Sequence, residues 1–268
     1  MGEVMAADGA NQGLERAASV LEAITRCGPS RVADIVTETG LGQSTVSRLL
    51  TSLEMLDYVV RDPESGTYRL GLIFLAMAGA ALNEQSVFRH ARQPGQHLAA
   101  SLGLGVNVAI RRGGELYYLS NFEGALAPKS FTLMGHRSPL HSTALGKCLL
   151  AELSGDERRA LLPDLEPFTV HTIVDHERLD EAVASVHRSG YSTEREELAL
   201  GRSCVAAPIR NSEGDIVAAI SISGPLSALD LTTRESEIAQ RAIEVADSIS
   251  TAMGYLGPRA STQHPHRA

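Results

Sequence analysis

Two short stretches of the sequence carry side chains that could bind a small polar molecule. Residues 140–147 are LHSTALGK, in which Ser142 or Thr143 can cap a helix, and the first N–H groups of a helix attract a carboxylate or a similar anion. The segment AISISGP places Ser221 and Ser223 on one face of a strand, because side chains alternate along a strand. Two adjacent hydroxyls indicate either a ligand-facing surface or local hydrogen bonding, and the spacing alone favours local bonding.

Glu194 and Cys204, at the ends of two predicted neighbouring strands, are further candidates for the same site. Cys204 fits equally well as a small buried apolar residue. We expect all these groups to converge on one small pocket. His141, Ser142 and Cys204 could be imagined as a base and nucleophile, but no acid stands at a triad spacing and the sequence has no GxSxG elbow. The chain is therefore not expected to be an enzyme.

A thiol-based redox sensor is a second alternative. The three cysteines, Cys27, Cys148 and Cys204, are widely spaced and form no CxxC pair. This spacing predicts neither a disulfide framework nor a metal site, and we expect no cofactor. The mostly apolar neighbours of the cysteines favour inert buried thiols over reactive ones.

The segment VADIVTETGLGQSTVSRLLTSL, residues 32–53, predicts two short helices joined by a tight turn at Gly40, where glycine can adopt a positive φ. An apolar stripe that includes Val46 and Leu50 marks the inner face of the second helix. The opposite face has short hydrogen-bonding side chains and one guanidinium, which suit phosphates and base edges in a DNA major groove. The residues of this face are Gln43, Ser44, Thr45, Ser47, Arg48 and Thr51.

A β-hairpin is predicted directly after these helices, because β-branched and aromatic residues flank the turn at 62–66. Two helices followed by a hairpin are typical of a winged helix-turn-helix, and the combination is more specific than either part. Four arginines of this segment could meet DNA: Arg31, Arg48, Arg61 and Arg69. They stand among several acids in a chain of net charge −8, so we expect DNA affinity to depend on dimerisation.

The almost wholly apolar stretch LGLIFLAMAGAALN, residues 70–83, follows the hairpin. It is too short to cross a membrane and too apolar for an exposed linker, so we predict a connector helix buried between domains or subunits, with dimerisation as a hypothesis. No membrane span or signal peptide is predicted, and we expect the protein in the cytoplasm. Residues 1–11 and 257–268 are expected to be disordered.

The expected domains are a winged helix-turn-helix at 12–70, a linker helix at 71–84 and a second domain at 85–256. The second domain is predicted to be α+β, with a mostly antiparallel sheet flanked by helices. Its predicted strands lie on both sides of the Gly113-Gly114 turn and at 131–133, 191–195, 205–209 and 216–223. Its predicted helices lie at 86–102, 143–153, 156–162, 177–188 and 232–255.

Four segments between residues 13 and 255 resemble the IclR family of bacterial transcription regulators. They are GLERAASVLEAI at 13–24, the winged helix-turn-helix, PLHSTALGKCLLA at 139–151, and the run YSTEREELALGRSCVAAPI to AAISISGP at 191–225. The resemblance implies a GAF-like effector-binding domain joined to the winged helix by a linker helix. It also implies dimers, or dimers of dimers, on pseudo-palindromic operators, and a response to small metabolites that are often carboxylates or aromatic acids.

The resemblance also implies which residues contact the effector. The family's ligand contacts match the backbone of Ala144 and Leu145 and the side chains of Glu194, Cys204, Ser221 and Ser223. Glu194 departs from the aspartate found in some members, and its longer side chain could shrink the pocket, so no particular ligand is carried over. The expected function is a sequence-specific DNA-binding regulator, a repressor in preference to an activator, whose operator binding is modulated by a small metabolite.

Overall fold

The computed structural model describes residues 2–127 and 132–257 of the chain. The chain divides into two compact units between Ala81 and Leu82, and each unit has its own buried core. None of the described helices is long and apolar enough to cross a membrane.

The first unit is a winged helix-turn-helix, as predicted. Three helices precede a two-stranded antiparallel hairpin, and a further helix follows the hairpin and runs across the boundary between the two units. The elements are α1 (Gly2–Cys27), α2 (Val32–Thr39), α3 (Gln43–Met55), β1 (Val59–Arg61), β2 (Tyr68–Leu70) and α4 (Ile73–Glu84).

The first helix differs from expectation, because it begins at Gly2 whereas the sequence predicted disorder over residues 1–11. This stretch contains Glu, Met and Ala residues, which have high intrinsic helix propensity and extend the helix towards the N-terminus. Met1 lies outside the described residues.

Gly40 ends α2 in the left-handed conformation that the predicted turn requires, with φ of 68°, and its N–H donates to the Val36 carbonyl. Ile35 from α2 and Val46 and Leu50 from α3 are fully buried in the core of this unit. Burial of this apolar stripe turns the other side of α3 towards solvent.

The second unit is an α+β domain built on a six-stranded antiparallel sheet, which confirms the predicted class. The strand order across the sheet is β5-β4-β3-β8-β7-β6, so the two central strands come from opposite ends of the domain sequence. The strands are β3 (Gly105–Arg112), β4 (Glu115–Glu123), β5 (Arg137–Pro139), β6 (Ser192–Arg195), β7 (Arg202–Arg210) and β8 (Ile216–Pro225). The helices are α5 (Ser86–Leu102), α6 (Ala144–Leu150), α7 (Gly155–Leu161), α8 (His176–Ser189), α9 (Leu226–Leu229) and α10 (Leu231–Ala252).

The sheet separates two apolar cores, and β8 contributes to both. Ile220 and Ile222 pack into the core that also contains residues of α5 and α10. Ala219, on the other face of the strand, packs into the core that contains residues of α6 and α8. Period-two alternation places Ser221 and Ser223 on the Ala219 face. The two serines therefore share a face of the sheet with α6.

The edge strand of the sheet does not lie where the sequence predicted it. Phe131 lies outside the described residues, and Thr132 and Leu133 form no strand. Leu133 instead donates its N–H to the side chain of Asn121, at 3.1 Å. The edge position beside β4 is taken by Arg137–Pro139, with Glu115 opposite Pro139.

Smaller differences concern helix ends. α6 ends at Leu150 and not at Leu153, because its last turn closes with the Ala151 N–H donating to the Cys148 carbonyl. The short helix α9 was not predicted; it starts after Pro225, whose fixed φ suits the entry to a helix. Of the predicted C-terminal tail only Gly257 is described, and residues 258–268 lie outside the described residues.

The linker helix α4 is present, but none of its residues is buried within the single chain. Leu75 and Met77 on the helix are 70% and 45% exposed, and Leu72 just before it is 78% exposed. Burial of this helix between domains or subunits therefore stays a prediction.

Candidate functional site

The outer face of α3 is a polar surface open to solvent. The predicted DNA-facing residues Gln43, Ser44, Ser47, Arg48 and Thr51 are exposed, and Thr45 is half-buried. Within the helix, the Thr51 hydroxyl donates to the Ser47 carbonyl at 3.0 Å. Five of the six predicted residues are therefore exposed on this one helix.

The other three predicted arginines, Arg31, Arg61 and Arg69, are exposed. Arg31 precedes α2, where its backbone N–H donates to the Asp34 carboxylate at 2.8 Å. The Arg61 guanidinium lies 5.9 Å from the centre of the Tyr68 ring on the paired strand. A cation at this distance from a ring is attracted only weakly at an exposed site.

Asp62 shapes the turn of the wing. Its Oδ1 accepts hydrogen bonds from the backbone N–H groups of Glu64 and Ser65 and from the Ser65 hydroxyl, at 2.7 to 3.0 Å. The Ser65 backbone N–H is the largest of the influences that lower the pKa of this carboxyl below its ordinary value. The carboxylate is thus used in turn formation.

In the second unit, all six predicted effector residues line one cavity of about 150 Å³. They come from four separate elements of the fold. These are Ala144 and Leu145 on α6, Glu194 on β6, Cys204 on β7, and Ser221 and Ser223 on β8.

The start of α6 forms one wall of this cavity. Thr143 caps the helix, because its Oγ1 accepts from the Gly146 N–H and donates to the Pro139 carbonyl, both at 3.0 Å. Ala144 and Leu145 are the first two residues of the helix and line the cavity. The first N–H groups of a helix have no acceptor within the helix itself.

The two serines of β8 have different surroundings. Ser223 Oγ accepts a hydrogen bond from Asn107 Nδ2 on the neighbouring strand β3, at 3.1 Å. The Ser221 hydroxyl makes no hydrogen bond to any residue that the structure describes, although the residue is only 1% exposed. Local bonding therefore accounts for Ser223, whereas Ser221 has an unused hydroxyl at the cavity wall.

Glu194 is the buried acid of the cavity, at 3% exposed. Its Oε1 accepts from the backbone N–H groups of Glu197 and Leu198, at 2.6 and 3.3 Å. Burial raises the pKa of this carboxyl above its ordinary value, and the hydrogen bonds from Glu197, Leu198 and Cys204 oppose the shift.

Two of the three cysteines, Cys148 and Cys204, are poorly suited to redox sensing. Burial raises the pKa of the Cys148 thiol to about 12 and that of Cys204 well above its ordinary value, so both are protonated at neutral pH. Cys27 is exposed, but the other two cysteines lie in another unit of the fold. A low thiolate content makes a thiol an unreactive sensor, which disfavours the redox alternative.

His141, Ser142 and Cys204 form no hydrogen bond with one another in the part of the chain that the structure describes. The His141 Nε2 is hydrogen-bonded to the Glu166 carbonyl at 2.9 Å. The Ser142 Oγ is buried and has no hydrogen-bond partner among the described residues. Within the described ranges no cluster of His, Cys, Asp and Glu could hold a metal ion.

Several cavity residues were not predicted. Asn107, Tyr118, Ser138 and Arg202 also line the cavity. Asn107 could have been recognised as a candidate from the sequence, because it is the single amide within the apolar strand segment GVNVAI. Burial raises the pKa of Tyr118, and a hydrogen bond with Ser138 opposes that rise. Arg202 is exposed, so its charge remains in contact with solvent at the edge of the cavity.

Comparison with known proteins agrees with this division of the chain. Residues 13–63 match the family model of the IclR helix-turn-helix domain, and residues 79–251 match that of the bacterial transcriptional regulator IclR C-terminal domain. The HTH-type transcriptional repressor AllR of Escherichia coli strain K12 is 34% identical over 248 residues, which cover 91% of this chain and 90% of AllR.

Solved structures show the same fold. A transcriptional regulator from Rhodococcus sp. RHA1 superposes with a TM-score of 0.78 at 27% identity, covering 90% of this chain and 98% of that one. An IclR homolog from Microbacterium hydrocarbonoxydans, solved in complex with 4-hydroxybenzoate, has a TM-score of 0.77 at 23% identity, with coverage of 90% and 98%. The second likeness concerns the fold alone.

The two family models and the AllR relative show that the chain is a DNA-binding transcriptional regulator, and not an enzyme. The chain belongs to the IclR family. Regulators of this family bind operator DNA and small-molecule effectors.

Proposed function

We propose that this regulator is a repressor whose operator affinity changes when a small carboxylate or aromatic acid occupies the cavity of the second unit. The cavity is the observation that carries the proposal. Its volume of about 150 Å³ equals that of an engineered protein cavity that binds benzene, so it is large enough for a single ring or a short aliphatic acid.

The lining of the cavity supports a polar effector. Ser221 offers a hydroxyl at the cavity wall that forms no hydrogen bond with a described residue, and the N–H groups at the start of α6 suit a carboxylate. Leu145 and Leu198 supply apolar surface for the rest of the molecule. The 4-hydroxybenzoate bound to the Microbacterium homolog has this combination of a ring and an acid group. We propose effector contacts from Ala144, Leu145, Glu194, Cys204, Ser221 and Ser223.

On the DNA side, we propose that α3 enters the major groove with its exposed polar face. Gln43, Ser44 and Arg48 lie at or near the helix start, where the residues of a recognition helix contact base edges. Thr45, Ser47 and Thr51 complete this face. Arg31, Arg61 and Arg69 are exposed around it and are suited to phosphate contacts.

We also propose that a second copy of the chain covers α4, giving a dimer or a tetramer that acts on DNA in the cytoplasm. Leu72, Leu75 and Met77 form exposed apolar surface on or beside this helix. Apolar patches of this kind mark interaction sites in soluble proteins. A dimer would bind two operator half-sites and so compensate for the small number of basic side chains that each copy presents to DNA.

The test is an operator-release titration. Full-length protein is bound to DNA from upstream of its own and neighbouring genes, and a panel of small aliphatic and aromatic acids, 4-hydroxybenzoate among them, is added in a gel-shift assay. We expect one acid to release the DNA from the wild-type protein. Ala144→Leu fills the cavity without removing a donor and should abolish the response, whereas Ala160→Leu, on the exposed face of α7, should not.

Two outcomes would count against the proposal in different ways. If no acid alters DNA binding, the proposed effector class is wrong. If an acid acts equally on the wild type and on Ala144→Leu, the effector binds elsewhere and this cavity is not the sensor.

A further inference from the structure

A buried ion pair lies behind the cavity wall. Lys147 Nζ is 2.5 Å from Glu197 Oε1 and also donates to the Thr193 carbonyl at 3.0 Å. The two charged side chains are only 3% and 11% exposed. Neither residue lines the cavity, yet each is adjacent in sequence or structure to residues that do. The pair joins helix α6 to the segment that follows β6.

That segment is the loop Glu196–Gly201 between β6 and β7, called here the covering loop. Leu198 and Ala199 from this loop line the cavity. On the cavity side, the Glu194 carboxylate accepts the N–H groups of Glu197 and Leu198. The loop therefore forms part of the cavity wall and is fastened to it through its first half.

The outer side of the covering loop is held by two threonines of another loop. Thr169 Oγ1 donates to the Glu196 carbonyl and Thr172 Oγ1 donates to the Glu197 carbonyl, both at 2.6 Å. These bonds also attach to the first half of the loop, whereas Ala199 and Leu200 are exposed. Glu197 is the residue at which the inner and outer attachments meet.

The ion pair is poorly explained as a source of stability. Two charges removed from water must recover a large desolvation cost, and apolar replacements of such pairs are often neutral or stabilising. Here the cost is incompletely offset, because Glu197 Oε2 is buried without a hydrogen-bond partner among the described residues. A role in placing the loop accounts for the pair better than a role in stability.

We propose that Lys147 and Glu197 are positioning residues that hold the covering loop closed over the cavity, so that a molecule enters or leaves when Glu197 separates from Lys147. The role of loop opening in regulation rests on the proposed function of the cavity. Closure of the loop is a separate property and can be measured without any effector.

Cys204 provides the reporter, because it lines the cavity beneath the covering loop. In the full-length protein with Cys27→Ser, methyl methanethiosulfonate is added and peptide mass spectrometry follows Cys204 and Cys148 separately. The Cys204 thiolate attacks the thio sulfur of the reagent, forms a mixed methyl disulfide and expels methanesulfinate. The Cys148 rate reports opening of the domain core, because that thiol is fully buried.

Lys147→Met should accelerate modification of Cys204 about tenfold or more, which corresponds to a loss of about 1.4 kcal/mol in loop closure. Burial raises the pKa of Cys204 and Lys147 partly opposes that rise. Loss of the Lys147 charge alone would therefore slow the reaction, so acceleration reports opening. The Cys148 rate should rise much less than the Cys204 rate.

Arg158→Met is the matched control. Arg158 pairs with Asp180 at 2.7 Å and is also largely buried, but it joins α7 to α8 and does not contact the covering loop. Its replacement should leave the Cys204 rate at the wild-type value. If Arg158→Met accelerates Cys204 as much as Lys147→Met does, the effect is general destabilisation and the proposal is wrong.

A doubly substituted chain, Lys147→Met with Glu197→Leu, separates positioning from stability. The apolar pair should restore resistance to urea unfolding while Cys204 remains rapidly modified. A Cys204 rate that returns to the wild-type value together with stability would overturn the proposal, as would an unchanged rate in Lys147→Met. If Lys147→Met accelerates Cys148 as much as Cys204, the doubly substituted chain decides between the two explanations.

Discussion

The polar face of α3 and the cavity of the second unit differ in how their side chains are held. The face of α3 belongs to one helix, and side chains such as Arg48 project separately into solvent. The cavity is assembled from several elements, and its groups bond to one another, as Asn107 does to Ser223 and Glu194 to the covering loop. Substitutions on the α3 face should therefore act independently, whereas those in the cavity should be coupled.

This difference also explains why the two regions should respond differently to the same kind of change. Removal of a side chain from an exposed face leaves neither a cavity nor an unpaired partner, so only binding is affected. Removal of one member of a buried hydrogen-bonded pair leaves the other unsatisfied, so stability and binding change together. The predictions that follow use this contrast, beginning with the largest expected effect.

Leu75→Asp tests whether the α3 face of a single copy suffices for full operator affinity. If a second chain covers α4, the new carboxylate would be buried unpaired, which costs several kcal/mol and should weaken both self-association and operator affinity on the order of a hundredfold. Sedimentation velocity and gel-shift titration measure the two quantities. Leu75→Met, which nearly conserves volume, should change neither. A Leu75→Asp protein with wild-type association and affinity would show that α4 is not covered.

Arg48→Ala tests the independence of the α3 face. The side chain is exposed opposite the buried Val46 and Leu50, so its loss should leave thermal stability unchanged. The lost base or phosphate contact should cost about 1–3 kcal/mol per half-site. Arg188→Ala removes the same charge from the exposed end of α8 and serves as the control. Equal losses of operator affinity in both proteins would mean that only net charge matters.

The two serines of β8 test the coupling inside the cavity. Ser221→Ala and Ser223→Ala should each weaken the effector response by about 0.5–1.5 kcal/mol, a several-fold to tenfold shift in the concentration needed. Only Ser223→Ala should also lower the free energy of unfolding, because it leaves Asn107 Nδ2 without its acceptor. Urea unfolding and effector titration of each variant distinguish the two effects. Equal stability losses in both variants would contradict the different surroundings of the two hydroxyls.

Glu194→Gln should have the smallest effect, visible as a dependence on pH. Burial raises the pKa of Glu194, so the folded protein binds more protons than the unfolded chain and this contribution to stability is lost as the pH rises through the folded-state pKa. The variant lacks that titration. Relative to wild type, its free energy of unfolding should therefore increase from about pH 4.3 towards neutrality. Urea unfolding of both proteins across this pH range measures the change. A difference in free energy of unfolding that does not vary with pH would refute the raised pKa of Glu194.

Elements with local signals were predictable from the sequence. Thr143 caps α6, Gly190 ends α8 in the left-handed conformation, and the Gly113-Gly114 turn joins β3 to β4, as expected. Each signal depends only on residues a few positions apart. The exposed face of α3 was equally accessible, because helical periodicity alone separates its buried side from its polar side.

The parts that were missed depend on contacts between distant residues. The edge strand β5 lies at 137–139 because its partner β4 selects it, and the three residues themselves carry no strand pattern. Asn107 reaches the cavity because the register of β3 against β8 sets it opposite Ser221. No local pattern specifies that register. The predicted effector contacts came from the spacing of the residues and from the family resemblance together, whereas Arg202 and Tyr118 had neither a local signal nor a family match.

The pairing of β3 with β8 also has a consequence for biosynthesis. Asn107 and Ser223, which are hydrogen-bonded across the two central strands, are 116 positions apart in the chain. Contacts of such long range slow folding, and domains fold from the N-terminus during translation. The winged unit ends near residue 81, so we expect it to fold on the ribosome while β8 is still to be made. A nascent chain would then have its winged helix-turn-helix before the second unit has both of its central strands.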